Sequence, residues 1–224
     1  MSSEDFIKKV DSISKAKKSK LILAIDDANH YSKVFLEQLR EYSVGIKIGL
    51  TCLLEAYSYA ERLNYELSKD FVTIADLKIA DVQHICEKIG KLAKKLNFDA
   101  VIAHTFIGES SLKALNKVIP TLGIVAMTSH DSIKYDENLD YFVEICNNLS
   151  LAGIIAPATK PDILKRLRSK THLKIFSPGI GAQGMKYGSA IKNGADYEIV
   201  GRSIFEAKDY ISEAKKAVEL QWIS

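Results

Sequence analysis

Only three cysteines occur in the 224 residues. Cys52, Cys86 and Cys146 are odd in number, widely spaced and without metal-like pairing, which excludes a disulfide framework. They are expected to be reduced, packed thiols of a cytoplasmic protein. No apolar run approaches the roughly 20 residues of a membrane span, and Met1 to Lys20 is too charged for a secretory signal. No basic stretch carries interleaved aromatics and the net charge is only +3, so nucleic acid is not the expected partner. Lys15, Lys17, Lys18 and Lys20, ahead of the first apolar run, read as a solvated helix end. Low-complexity segments and a domain-sized linker are both missing. His30, His84 and His172 are expected on exposed loops or helices. His104 and His130 fall at strand ends, but no acidic or cysteine partner stands at ligand spacing, so no metal is expected. No cofactor motif is found either.

What is present is an ordinary globular balance, 47% hydrophobic and 26% charged, in a length that one domain can bury around one core. Apolar, β-branched runs recur at Leu21–Asp26, Val44–Gly49, Phe71–Lys78, Ala100–Thr105, Ile124–Ser129, Gly153–Pro157, Lys174–Gly179 and Tyr197–Gly201. Their starts are roughly 21 to 29 residues apart, the spacing of βα units. Between them lie helical patterns. In Val82–Leu96 the residues Val82, Ile85, Cys86, Ile89, Leu92 and Leu96 predict one apolar stripe. Pro161 suits the first turn of a helix after Thr159, and Ser203 is placed to cap a last long helix running toward Leu220. Eight units at this length predict an α/β fold, a closed (βα)8 TIM barrel in a single domain, with residues 1–19 as a helix covering its bottom. A doubly wound open sheet is the alternative.

In such a barrel chemistry sits at the carboxyl ends of the strands. Asp76-Leu77-Lys78-Ile79-Ala80-Asp81 ends the third run. Strand alternation turns Asp76 and Lys78 to one face, with Asp81 just beyond. Three buried charges are costly unless they pair or do chemistry. Lys47, at the second strand, reads alone as a solvated strand end or a functional group. Facing Asp76, Lys78 and Asp81, it completes a set of alternating sign that holds lysines protonated, fit for proton donation rather than Schiff-base chemistry. The seventh run leads into the glycine-rich Ser177-Pro178-Gly179-Ile180-Gly181-Ala182-Gln183-Gly184, and the eighth ends in Gly201-Arg202-Ser203. Glycines admit close backbone approach to an anion and Arg202 supplies a fork for phosphate oxygens. The bland reading is a tight turn beside a surface arginine.

Leu23-Ala24-Ile25-Asp26, Ile46-Lys47-Ile48-Gly49, Asp76 to Asp81, Thr128-Ser129-His130, Ser177 to Gly184 and Ile199-Val200-Gly201-Arg202-Ser203 together resemble the orotidine 5′-phosphate decarboxylase family in its short archaeal form. The resemblance spans strands one to eight. It implies cofactor-independent conversion of orotidine 5′-monophosphate (OMP) to uridine 5′-monophosphate (UMP), the last step of UMP synthesis. It assigns Asp26 and Lys47 to the ribose hydroxyls, Asp76 to the scissile carboxylate and Lys78 to protonation of C6. Ser129 falls to the pyrimidine amide edge, Gln183, Gly201 and Arg202 to the phosphate, with Pro178 also in the binding site. It implies a homodimer in which Asp81 reaches the neighbouring subunit's substrate. A magnesium-dependent sugar-phosphate lyase on the same barrel and a silent nucleotide-binding barrel are the rival readings. Two departures stand out. Val82-Gln83-His84-Ile85 replaces the family's proline and threonine, so residue 85 has no hydroxyl. Gly184-Met185-Lys186-Tyr187-Gly188 lacks the usual acidic and proline residues, leaving Tyr187 as a candidate phosphate contact.

Overall fold

The computed structural model describes residues 1–129 and 133–222. His130 therefore lies outside the described residues. Eight parallel strands, β1 (Leu21–Ile25), β2 (Gly45–Gly49), β3 (Val72–Ile79), β4 (Ala100–His104), β5 (Thr121–Ile124), β6 (Gly153–Ile155), β7 (Ile175–Ser177) and β8 (Tyr197–Val200), pair in chain order and close β8 onto β1. Closure removes both sheet edges and decides against the open doubly wound sheet. The helices are α1 (Ser3–Lys17), α2 (Lys33–Glu37), α3 (Leu50–Leu67), α4 (Gln83–Lys95), α5 (Glu109–Val118), α6 (Ile133–Glu137), α7 (Leu139–Asn148), α8 (Pro161–Arg168), α9 (Ser189–Lys192), α10 (Arg202–Phe205) and α11 (Tyr210–Trp222). No helix among the described residues is long and apolar enough to cross a membrane. Cys52, Cys86 and Cys146 are free and buried.

Helix α1 opens with a reciprocal capping box between Ser2 and Asp5. It packs at the amino-terminal end of the strands. Phe6 meets Phe176, Lys9 Nζ is 2.7 Å from Asp99, and Lys17 donates to the carbonyls of Ser43 and Asp70. The opposite end of the barrel stays open to solvent.

Three expectations are corrected. The fifth strand is Thr121–Ile124, earlier than Ile124–Ser129. Pro120 and Gly123 make this strand look like a loop, yet both fit it. The Pro120 carbonyl accepts from Val101, and a Cβ at Gly123 would lie 2.7 Å from Cys146 Sγ. Residues beyond Val125 leave the ladder and enter the barrel mouth. In α4 the buried face is Cys86, Gly90 and Ala93, while Val82 and Leu92 are exposed. Small residues face α5 because a Cβ at Gly90 would already press on Leu115 at 2.9 Å. Ser203 does not cap a long helix. It sits in the four-residue α10, and α11 starts afresh where Asp209 accepts from the Ser212 N–H and hydroxyl. Pro161 takes the first turn of α8 as the sequence predicts.

Candidate active site

The open end of the barrel holds a cleft of about 280 Å³, floored by strand ends and ringed by the loops that follow β1, β5, β7 and β8. Asp26, Lys47, Asp76 and Lys78 line one side of it. Ile102, Ile124, Ile155 and Ile199 contribute an apolar wall, and Pro178, Gln183, Gly201 and Arg202 line the cleft as well. Polar groups that converge beside an apolar wall are the usual make-up of a small-molecule site.

Asp76 is the centre of the charged side. Lys47 donates to its Oδ2 at 2.9 Å, and Lys78 donates to both of its oxygens, each at 2.9 Å. Lys47 also reaches Asp26 Oδ1 at 3.3 Å. Lys47 and Asp76 are each only 7% exposed, whereas Lys78 is exposed. The expectation of three buried charges in the 76–81 segment is thus corrected: only Asp76 is buried. Burial pulls the Lys47 ammonium toward neutrality, but Asp76 and then Asp26 outweigh it, and its pKa ends raised. Burial likewise pushes the Asp76 carboxyl up, and Lys47 and Lys78 more than reverse this, holding it below the ordinary carboxylate value. The buried pair is therefore charged on both sides near neutral pH.

Lys78 arrives there by an unexpected route. Its φ is +43°, a left-handed conformation uncommon for a side-chain-bearing residue. Between Ala75 and Ile79 the β3–β4 register shifts, so four residues on β3 match two on β4. The bulge re-aims the lysine at Asp76 where plain strand alternation would only have placed it on the same face.

Asp81 does not join this cluster within one chain. It is exposed, and its Oδ1 accepts the neighbouring Val82 N–H at 2.7 Å. With Val82, Gln83 and Phe106 it lines a separate shallow hollow. The four-charge array is thus three charges plus Asp26, which the sequence reading left outside the array. Ser129 is exposed and does not line the cleft; Met127 and Thr128 do. Tyr187 lies outside the cleft too. Its phenol packs against the core, and burial pushes its pKa up to about 12.

Gly201 needs its missing side chain, since a Cβ there would stand 3.0 Å from the Ala24 carbonyl oxygen. In the loop after β7, Gly181 N–H donates to the Met185 carbonyl at 2.7 Å and Gly184 N–H to the Gly181 carbonyl at 2.8 Å. This small closed turn carries Gln183 at its tip.

The model of the orotidine 5′-phosphate decarboxylase / HUMPS family matches residues 19–217. The chain belongs to that family. It is 40% identical over 193 residues to the orotidine 5′-phosphate decarboxylase of Pyrococcus abyssi, covering 84% of this chain and 91% of that protein. To the enzyme of the same name from Sulfurisphaera tokodaii it is 38% identical over 193 residues, covering 83% and 88%. Among solved structures, the orotidine 5′-monophosphate decarboxylase of Methanocaldococcus jannaschii complexed with inhibitor BMP superposes with a TM-score of 0.82. Sequence identity there is 30%, covering 91% of this chain and 98% of that one.

Sequence reasoning missed one part of this family member's site. The isoleucine wall read simply as strand core; the available signal was that these four residues sit near the carboxyl ends of their strands. His104, at the strand end where the sequence places it, lies outside the cleft lining; its Nδ1 hydrogen-bonds Tyr135 across to α6 and its ring stacks on Phe106. Nothing at position 104 announces a partner 31 residues away.

Proposed function

We propose that the chain is an orotidine 5′-phosphate decarboxylase that converts OMP to UMP and carbon dioxide. The observation that carries this reading is the Lys47–Asp76–Lys78 cluster, set beside an apolar wall and in the same cleft as Gly201 and Arg202. An anionic phosphate fits Arg202, Gln183 and the close backbone at Gly201. Asp26 and Lys47 hold the ribose hydroxyls, and the pyrimidine lies toward Asp76 and Lys78.

Heterolysis of the C6–carboxylate bond releases carbon dioxide and leaves an electron pair at C6. The ammonium of Lys78, already directed by Asp76, stabilises that pair and gives C6 its proton; solvent then recharges the lysine. Fixed charge of this kind costs no reorganisation at the moment of reaction, which is usually the largest catalytic contribution. Asp76 stands where the substrate carboxylate would meet like charge. The isoleucine wall offers departing carbon dioxide an apolar surface. Phosphate contacts far from C6 supply binding energy for closing the loop after β7.

The active species in this reading is a homodimer. Val82 and Phe106 are more than half exposed around the Asp81 hollow, an apolar surface suited to a second copy that would bring Asp81 toward its neighbour's substrate. The magnesium-dependent lyase reading is less well supported, because both oxygens of Asp76 are engaged by lysine ammonium groups. The deciding experiment follows the ultraviolet absorbance of OMP with purified protein in excess chelator. Turnover under those conditions is the expected result. Binding of UMP without carbon dioxide release would favour the silent barrel instead.

A further inference from the structure

Glu198 is fully buried, yet among the described residues it has no ion-pair partner. An unpaired carboxylate is expensive to bury unless its oxygens accept strong hydrogen bonds. Here they accept three. Oε2 takes the Gly188 N–H and the Gln221 side-chain amide, each at 2.9 Å, and Oε1 takes the Ala190 N–H at 2.9 Å. Gln221 is itself fully buried near the end of α11.

The position of those donors matters. Gly188 and Ala190 are where the loop after β7 ends and α9 begins. Gly188 has φ +79°, so the chain turns sharply at the point that Glu198 holds. The loop's leading end is fixed independently, by the Ser177 hydroxyl on the Ala156 carbonyl and the Ala158 N–H on the Pro178 carbonyl. Its tip is the closed turn bearing Gln183. Glu198 lies on β8, four residues before Arg202. Alternation sends Ile199 into the cleft and Glu198 the other way, toward the loop's base.

We propose that Glu198, backed by Gln221, is a positioning residue for phosphate binding. By holding the trailing end of the β7 loop to the strand that carries Arg202, it sets the spacing between Gln183 and Arg202. It touches neither substrate nor reacting atoms. The C-terminal helix thereby becomes part of the site's support. This inference rests on the proposed phosphate site and concerns its geometry.

The test compares UMP with uridine, which lacks the phosphate, as competitive inhibitors of OMP turnover. The wild-type protein is expected to prefer UMP strongly; no preference would overturn the phosphate site itself, and with it this proposal. In Glu198→Gln one acceptor becomes a donor facing backbone N–H, so the UMP-over-uridine preference should fall roughly tenfold, about the effect of losing one such hydrogen bond. Uridine inhibition and kcat at saturating OMP should change far less, with the loss appearing in KM. A general loss of structure would weaken both ligands together. Gln221→Leu, near the chain's end, is the second variant in case Glu198→Gln fails to fold, and it should lower the same ratio by about two- to fivefold. An unchanged ratio in the variants that fold, or equal weakening of UMP and uridine, overturns the proposal.

Discussion

Lys78 Nζ stands 2.9 Å from each carboxylate oxygen of Asp76, and it does so from a left-handed backbone inside a strand bulge. A non-glycine residue held left-handed costs on the order of 1–2 kcal/mol, so the fold tolerates strain to direct this ammonium. If Lys78 is the proton donor, Lys78→Ala should lower kcat by several orders of magnitude while UMP inhibition stays close to wild type. Near-normal turnover in that variant would remove Lys78 from the chemistry.

Arg202→Ala should behave in the opposite way. In the proposed function Arg202 holds the phosphate, remote from C6, so the loss should appear mainly as a higher KM and weaker UMP inhibition. Uridine inhibition should be nearly unaffected. A kcat defect equal to that of Lys78→Ala would contradict the assignment.

Asp76 joins two lysines, one of them buried, so Asp76→Asn should destabilise the protein by about 3 kcal/mol, within the range for breaking a buried pair. Urea unfolding measures this. The carboxyl's folded pKa is below its ordinary value of 3.8, so its stabilisation is complete above that pH and is lost as pH falls through the lower folded value. Wild type should therefore show an acid-limb slope there that Asp76→Asn lacks.

His104 should give the protein a second acid-sensitive region. Burial first, and the Lys78 ammonium second, hold its pKa below the ordinary 6.5, with Asp76 opposing; Tyr135 faces the ring from α6. The folded state then binds fewer protons than the unfolded chain just below pH 6.5, so stability falls as pH drops from that value toward the folded pKa. His104→Gln should flatten this part of the profile in thermal unfolding measured across pH 5 to 7. An unaltered slope would show that the imidazole is not the group responsible.

The shared-site reading of Asp81 is tested by mixing. Lys78→Ala and Asp81→Asn proteins, each inactive alone, should on subunit exchange form heterodimers with one intact site. Activity should then recover to about a quarter of wild type, as random pairing of two subunits requires. Failure to regain activity despite exchange, followed by native mass, would place Asp81 outside its neighbour's site.

Much of this was legible along the chain. Eight apolar runs at βα spacing predicted the barrel, and polar residues at their ends marked the mouth. Periodicity of 2 places Asp76 and Lys78 on one face of their strand, the glycines after the seventh run and the Gly201-Arg202 pair mark an anion site, and the family resemblance adds the role of Gln183. The fifth strand was misplaced because Pro120 and Gly123 carry turn signals that tertiary packing overrides. Of the stripe from Val82 to Leu96, Cys86, Ile89 and Leu96 pack inward, but Val82 and Leu92 are exposed; the sequence does not reveal that α5 demands the small side chains of Gly90 and Ala93.

The amino-acid sequence by itself determined the architecture, the family and the chemical types gathered at the barrel mouth. Only the tertiary structure decided which charges are buried, that Asp81 stands apart from Asp76 within one chain, and that a register shift aims Lys78. It alone joined Glu198 to Gly188 and Gln221, and His104 to Tyr135. The physical reason is common to all of these. Desolvation, register and hydrogen-bond partners depend on atoms brought together from distant parts of the chain, and local pattern carries no record of them.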